Sequence, residues 1–367
     1  MNIKYPDYNK GIVNLACSVL NHYGADCRNN TLPVFDELLK KDYKNVVVML
    51  FDGFGIDALE HHLKKGSFLR SHLQDSISSV FPPTTTAATT TIESGLTPAE
   101  HGWLGWSLYF NEIDKIVELF INIEKDSKER AANYHVAESI IPYKNIYEQI
   151  NETGNAKAYS VSIFGTNKVS SFDEVFTEVK RLCNQDGKKY IYSYWNEPDY
   201  TMHFNGCYSK LVTKWAENID KKVESMCNEL TDTLVIVTAD HGHINIEYKF
   251  ISDYPNLYKM LERPISIEDR ATCFFVKYDY KDQFANEFSK IFGQDFLLLT
   301  NKEVIEQKLF GDGKKHHKFE EFIGDFLAVA IADKAIAYNH ESDQFISHHA
   351  GMTDSEMMIP FISIEIE

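Results

Sequence analysis

Hydrophobic positions along this chain fall into two rhythms. Short apolar runs rich in Val, Ile, Leu, Tyr and Phe occupy Asn45 to Phe51, Lys157 to Ile163, Tyr190 to Trp195, Leu234 to Ala239, Ala271 to Val276 and Ile359 to Ile366. Runs of this length and β-branched content predict buried strands. Between them, Asp57 to Leu73, Ile146 to Glu152 and Leu211 to Leu230 place apolar residues at threes and fours, the spacing of amphipathic helices. Strand and helix alternate, which predicts an α/β fold: a doubly wound, mostly parallel sheet flanked by helices. Weaker helical pieces at Tyr280 to Ile291 and Val304 to Leu309 point to a smaller subdomain within about 243–348. Neither linker nor repeat divides the chain, so 1–367 is expected to be one catalytic-size domain.

Composition narrows the partners. Among 367 residues, 54 acidic and 37 basic side chains give a net charge of −17, which opposes nucleic-acid polymers and anionic membrane surfaces. An anionic small molecule is still admissible, because bound cations can invert the local field. The six cysteines show no CxxC and no pairing rhythm, which predicts reduced, mostly buried thiols. No segment reaches the roughly 18 apolar residues of a membrane span. A cytoplasmic protein is the corresponding expectation, and oligomeric state is not legible.

Candidate chemistry sits where the strands end. In open α/β sheets, ligands gather outside the carboxyl ends of the strands. Asp52 directly follows NVVVMLF, Asp240 directly follows LVIVTA, and Asp199 stands four residues beyond YIYSYW. His203 follows Asp199 by four, so a helix would put both on one face, and His241 adjoins Asp240. Such oxygen and nitrogen donors suit Zn²⁺, and also Mn²⁺ or Mg²⁺. Singly, each carboxylate could equally be a helix cap or turn residue. In SVFPPTTTAATTTIESG, the chain can enter a helix after two prolines and leave it at Gly95, which sets a threonine at a helix N-terminus suited to phosphate. A threonine there could also be a plain N-cap.

Five segments in order resemble the nucleotide pyrophosphatase/phosphodiesterase branch of the alkaline phosphatase superfamily: FDGFG, FPPTTTAATTTIESGLTPAEHG, NEPDYTMH, TADHGH and HHAGMT. The resemblance runs from about residue 45 to the C-terminus. It implies that Asp199, His203 and His349 hold one divalent ion, and that Asp52, Asp240 and His241 hold another, which Thr85 touches as nucleophile. His349 fits the last motif better than His348, and Thr84 and Thr86 flank the nucleophile position. The implied activity is hydrolysis of small phosphodiesters or pyrophosphates through a phospho-threonine, with zinc as the first choice of metal. A phosphonate or phosphomonoester hydrolase with the same ions is the alternative, followed by a non-catalytic metal-containing binding protein.

One departure bears on substrate. The branch carries a phosphoryl-binding asparagine twenty-one residues past the nucleophile, and Trp106 stands there. Trp103 and Trp106 are therefore candidate substrate contacts. No C/S-x-P-x-R context is present for a sulfatase nucleophile, and no Arg adjoins Thr85 as in alkaline phosphatase-type monoesterases.

Overall fold

A computed structural model describes residues 2–367. Its centre is a seven-stranded sheet, ordered Leu73–Ser78, Met358–Ile366, Thr233–Thr238, Asn45–Phe51, Lys189–Trp195, Lys157–Ser162 and Asn167–Lys168. The strand Asn45–Phe51 lies parallel between Thr233–Thr238 and Lys189–Trp195, and all seven of its residues are buried. Burial on both faces explains its uninterrupted apolar run. Only Met358–Ile366 pairs antiparallel, with both of its neighbours. Five of the six expected strands are thus in this sheet, and the α/β expectation is met.

Ala271–Phe274, the sixth, belongs to a second seven-stranded sheet, whose order is Phe296–Thr300, Phe326–Ala330, Ala271–Phe274, Ser266–Ile267, Ser107–Phe110, Lys115–Glu118 and Ile123–Glu124. Three of its strands come from 107–124, well before the stretch 243–348. Separate apolar clusters pack the two sheets: Val46, Ile236 and Tyr190 lie at the heart of one, and Leu108, Cys273 and Leu327 at the heart of another.

Two expectations require correction. The helix expected over Asp57 to Leu73 is broken: helix Ile56–His62 stops where Leu63 turns to extended geometry, and a short helix, Phe68–Ser71, restarts after the exposed KKGS turn. The carboxylate of Asp220 accepts the backbone N–H groups of Phe68 and Leu69, at 3.3 and 2.7 Å, and so caps the restart. Leu73 then opens an edge strand rather than closing a helix. Likewise, only four cysteines are free and buried, Cys183, Cys207, Cys227 and Cys273. Cys17 and Cys27 are joined as a disulfide, which a sequence lacking any spacing signal does not announce. Among the described residues, no helix is long and apolar enough to cross a membrane.

Candidate metal centre and nucleophile

Three adjacent parallel strands deliver three carboxylates to one edge of the central sheet. Asp52 leaves the end of Asn45–Phe51, its N–H donating to the carbonyl of Trp195, and its own carbonyl accepts the N–H of Asp199 at 3.0 Å. Asp199 opens the helix Asp199–Asn205, so His203 lies one turn on, with Nε2 3.4 Å from Asp199 Oδ2. Asp240 and His241 follow the strand Thr233–Thr238.

Gly53 has φ +70°, and a Cβ there would stand 2.9 Å from that of Asp199; only glycine suits this close, left-handed turn. Its N–H donates to Asp240 Oδ1 at 3.0 Å. Oδ1 also accepts the N–H of His241, leaving Asp240 Oδ2 buried without a hydrogen bond, 3.4 Å from His241 Nε2. An orphaned carboxylate oxygen at zero exposure is costly unless a cation meets it.

The histidines are oriented from behind. His241 Nδ1 donates to the carbonyl of Gly242 (3.1 Å) and His203 Nδ1 to that of Ser347 (2.9 Å), so both rings turn Nε2 inward. His241 Nε2 lies 3.3 Å from Asp52, 3.4 Å from Asp240 and 3.2 Å from Thr85 Oγ1. His349 arrives on a loop after the strand Ser347–His348, stacked on His241 with ring centroids 3.8 Å apart. His348 faces elsewhere: its Nδ1 accepts the N–H of His349, and its Nε2 lies 4.0 Å from Asp269.

Arg270, fully buried, holds that loop from beneath. It pairs bidentately with Glu356 at 2.7 and 2.8 Å, and Glu356 in turn accepts the N–H of Gly351. Removing one partner of such a buried pair costs about 3–5 kcal/mol. Arg270 is therefore committed to the scaffold and is no free cation for substrate.

Thr85 is the first residue of the helix Thr85–Ser94, which ends at Gly95 with φ +75°. Its Oγ1 lies 3.4 and 3.5 Å from the two oxygens of Asp52. Its neighbours point away: the Thr84 hydroxyl donates to Glu268 at 2.6 Å, and the Thr86 hydroxyl is buried with no partner. Thr85, Asp52, Asp199, His203, Asp240, His241 and His349 thus lie close together, and two groups are placed to hold a metal ion, Asp199, His203, His243 and His349, and Asp52, Asp199 and His241, with Asp240 beside the second. The sequence pattern does not single out His243, whose one signal is the second histidine of TADHGH.

Electrostatics fit a cationic occupant. Burial pushes Asp240 and Asp199 up, and neighbouring Asp52 adds to it. Burial also opposes charge on His241, yet Asp240 and Asp52 outweigh it and lift that imidazole to about 10. Protons thus occupy in part the place that a divalent ion would take.

A cavity of about 1110 Å³ opens over the centre, reaching from Thr85 and Asp52 to Trp106, Phe120 and Phe164. Trp106 is 38% exposed and meets Phe120 edge-on at 6.1 Å. Trp103 lines the same cavity but is only 4% exposed, its indole N–H donating to the carbonyl of Ile141. Where the asparagine would stand, the backbone N–H of Trp106 donates to Glu268 at 2.7 Å.

Burial lifts Glu268 to about 7, against the hydrogen bonds from Thr84 and Trp106 that favour its carboxylate. The folded chain thus keeps a proton that the unfolded chain has lost between 4.5 and about 7. Stability from this group is full below 4.5 and is lost as pH rises through about 7, amounting to about 3 kcal/mol for the whole shift. Glu268→Gln should flatten the fall in unfolding free energy over that window in urea titrations. A slope equal to that of the parent protein would contradict the assignment.

Comparison with known proteins agrees with this fold. Solved structures of ectonucleotide pyrophosphatase/phosphodiesterase 5 from mouse and human superpose with a TM-score of 0.66 at 18% identity, over 87% of each chain. One is an inactive threonine-to-alanine variant of the mouse protein in complex with AMP. Phosphonoacetate hydrolase from Sinorhizobium meliloti, in complex with phosphonoformate, gives a TM-score of 0.63 at 15% identity over 88% of this chain and 90% of that one. No match was found among curated proteins. The sequence profile of type I phosphodiesterase/nucleotide pyrophosphatase spans residues 46–353, so the chain belongs to that family of phosphoric ester hydrolases within the alkaline phosphatase superfamily.

Proposed function

We propose that the protein hydrolyses small-molecule phosphodiesters or pyrophosphates, with Thr85 as covalent nucleophile and two divalent ions, zinc first, at the Asp/His centre. The observation that carries the reading is the position of Thr85 Oγ1, at a helix N-terminus and within 3.5 Å of Asp52 and His241.

Asp199, His203 and His349 would hold one ion, and Asp52, Asp240 and His241 the other. When bound, such ions lower the pKa of a coordinated hydroxyl and neutralise charge on a phosphoryl group. The orphaned oxygen of Asp240 and the inward Nε2 atoms of His203 and His241 support that fit.

Thr85 Oγ would form a bond to phosphorus as the bond to the leaving oxygen breaks, giving a phospho-threonine and the departing alcohol or nucleotide. Water then breaks the Thr85–phosphorus bond and restores the hydroxyl. The helix behind Thr85 favours the anion throughout. Two ions bring +4 against −3 from Asp52, Asp199 and Asp240, so an anionic ester is drawn in despite the net charge of −17. An inactive threonine-to-alanine variant in the mouse relative supports the same role for the threonine here.

The second organic arm of a diester needs an apolar surface, and Trp106 with Phe120 offers one on the cavity wall. A phosphonate or monoester hydrolase is the second reading. It is favoured by Lys125, a cation on the same wall that could meet an extra negative charge, and by the fold likeness to phosphonoacetate hydrolase. Side-by-side kcat/KM for an aryl phosphodiester and the matching monoester separates them. A diester advantage is expected, and a monoester advantage of about tenfold or more would install the second reading.

A further inference from the structure

We propose that His243 is a fourth protein ligand of the ion held by Asp199, His203 and His349, so that this position is closed and the Asp52–Asp240–His241 position is the open one. The inference rests on the metal reading above and adds a ligand that the motif resemblance does not supply.

His243 is 3% exposed, on the chain just beyond His241 and ahead of the short strand Ile244–Asn245. That strand pairs antiparallel with Ser347–His348, Ile244 opposite His348, and the pairing sets His243 beside the loop bearing His349. The imidazole of His243 packs beside those of His203 and His349, with centroids 4.7 and 5.1 Å away, and its Nε2 stands 2.5 Å from Asp199 Oδ1. One donor atom from each of Asp199, His203, His243 and His349 falls within 4.8 Å of the others.

Hydrogen-bond bookkeeping fixes the ring's state. Ser347 Oγ has one proton and donates it to the carbonyl of Met202 at 2.6 Å. Toward His243 Nδ1, 3.2 Å away, it can therefore only accept, so Nδ1 carries the hydrogen. Ser347 serves twice, because its backbone carbonyl accepts from His203 Nδ1. Both rings are thus held from behind by one residue, with Nε2 aimed at Asp199, the arrangement of metal-bound histidines supported by a second hydrogen bond.

A bare Nε2 lone pair so close to a carboxylate oxygen is repulsive unless a cation joins them. Without a metal ion the contact needs a proton, either on Asp199, giving a buried neutral acid, or on Nε2 as well as Nδ1, giving a buried charged ring. Four N and O donors match a closed zinc site, whereas three leave a position open to solvent or substrate.

The test uses the zinc-loaded protein and two variants. Anomalous diffraction at the zinc edge should find His243 Nε2 bonded to the ion that binds Asp199, at about 2.0–2.1 Å. In cobalt-loaded protein, His243→Ala and His243→Asn should each alter the visible absorption of one ion and weaken its retention against a chelator by about tenfold or more, leaving the other ion unchanged. The asparagine variant retains a donor for Asp199, so a cobalt spectrum and ion retention like those of the parent would make His243 a positioning residue and overturn the proposal. So would two zinc ions seen with His243 bonded to neither. A parent protein that binds no ion would instead fail the metal reading on which the proposal stands.

Discussion

Replacing Thr85 by alanine is expected to lower turnover about 10³-fold or more while both ions stay bound. The hydroxyl faces both Asp52 and His241, and under the proposed assignment each ion would keep three Asp and His ligands without it. The neighbouring threonines make the test specific. Thr84→Ala removes a donor to Glu268, and Thr86→Ala removes a buried hydroxyl that no group meets, so both should retain most of the activity. Metal analysis and steady-state kinetics on the three variants check the ranking. A larger loss at Thr84 or Thr86 would shift the nucleophile by one residue.

Stripping the metal should abolish turnover and lower thermal stability together. Three buried carboxylates converge at one sheet edge, and Asp240 Oδ2 is left without a hydrogen bond. An ion bound only by the folded chain contributes about 4 kcal/mol when its free concentration is a thousandfold above Kd. Protons recover a fraction of that, since burial and mutual repulsion raise Asp199 and Asp240, and the carboxylates lift His241 to about 10. Ion binding must displace those protons, so affinity should fall as pH falls. Differential scanning fluorimetry and turnover after exhaustive chelation, then after return of zinc, measure both effects. Full activity in the chelated protein would contradict the metal assignment.

The parts of this molecule legible in its sequence are those where one physical constraint acts alone. Asn45–Phe51 reads as a strand because both faces are buried, and no polar residue interrupts it. Asp52, Asp199 and Asp240 read as one site because parallel strands must deliver their carboxyl ends to the same edge. Other features depend on partners remote in the chain. Leu73–Ser78 carries polar residues on an edge strand that only pairing with Met358–Ile366 reveals, and the KKGS turn hides within a helical rhythm. The strands at 107–124 are two to four residues long, too short for periodicity to register, yet they build the second sheet and the cavity wall. Arg270 shows the same limit: its charge says nothing of its role, and only the fold reveals Glu356 beneath the His349 loop. His243 is not legible because the contact that orients its ring comes from Ser347, a hundred and four residues away.

If Thr85 becomes covalently bound to phosphorus, the stereochemical course of hydrolysis must show it. A chiral phosphorothioate diester cleaved in heavy-oxygen water reports the number of displacements at phosphorus. Attack by Thr85 followed by attack of water inverts the centre twice, so the product should show net retention of configuration. Net inversion would mean a single direct attack by water, and would contradict the assignment of Thr85 as nucleophile.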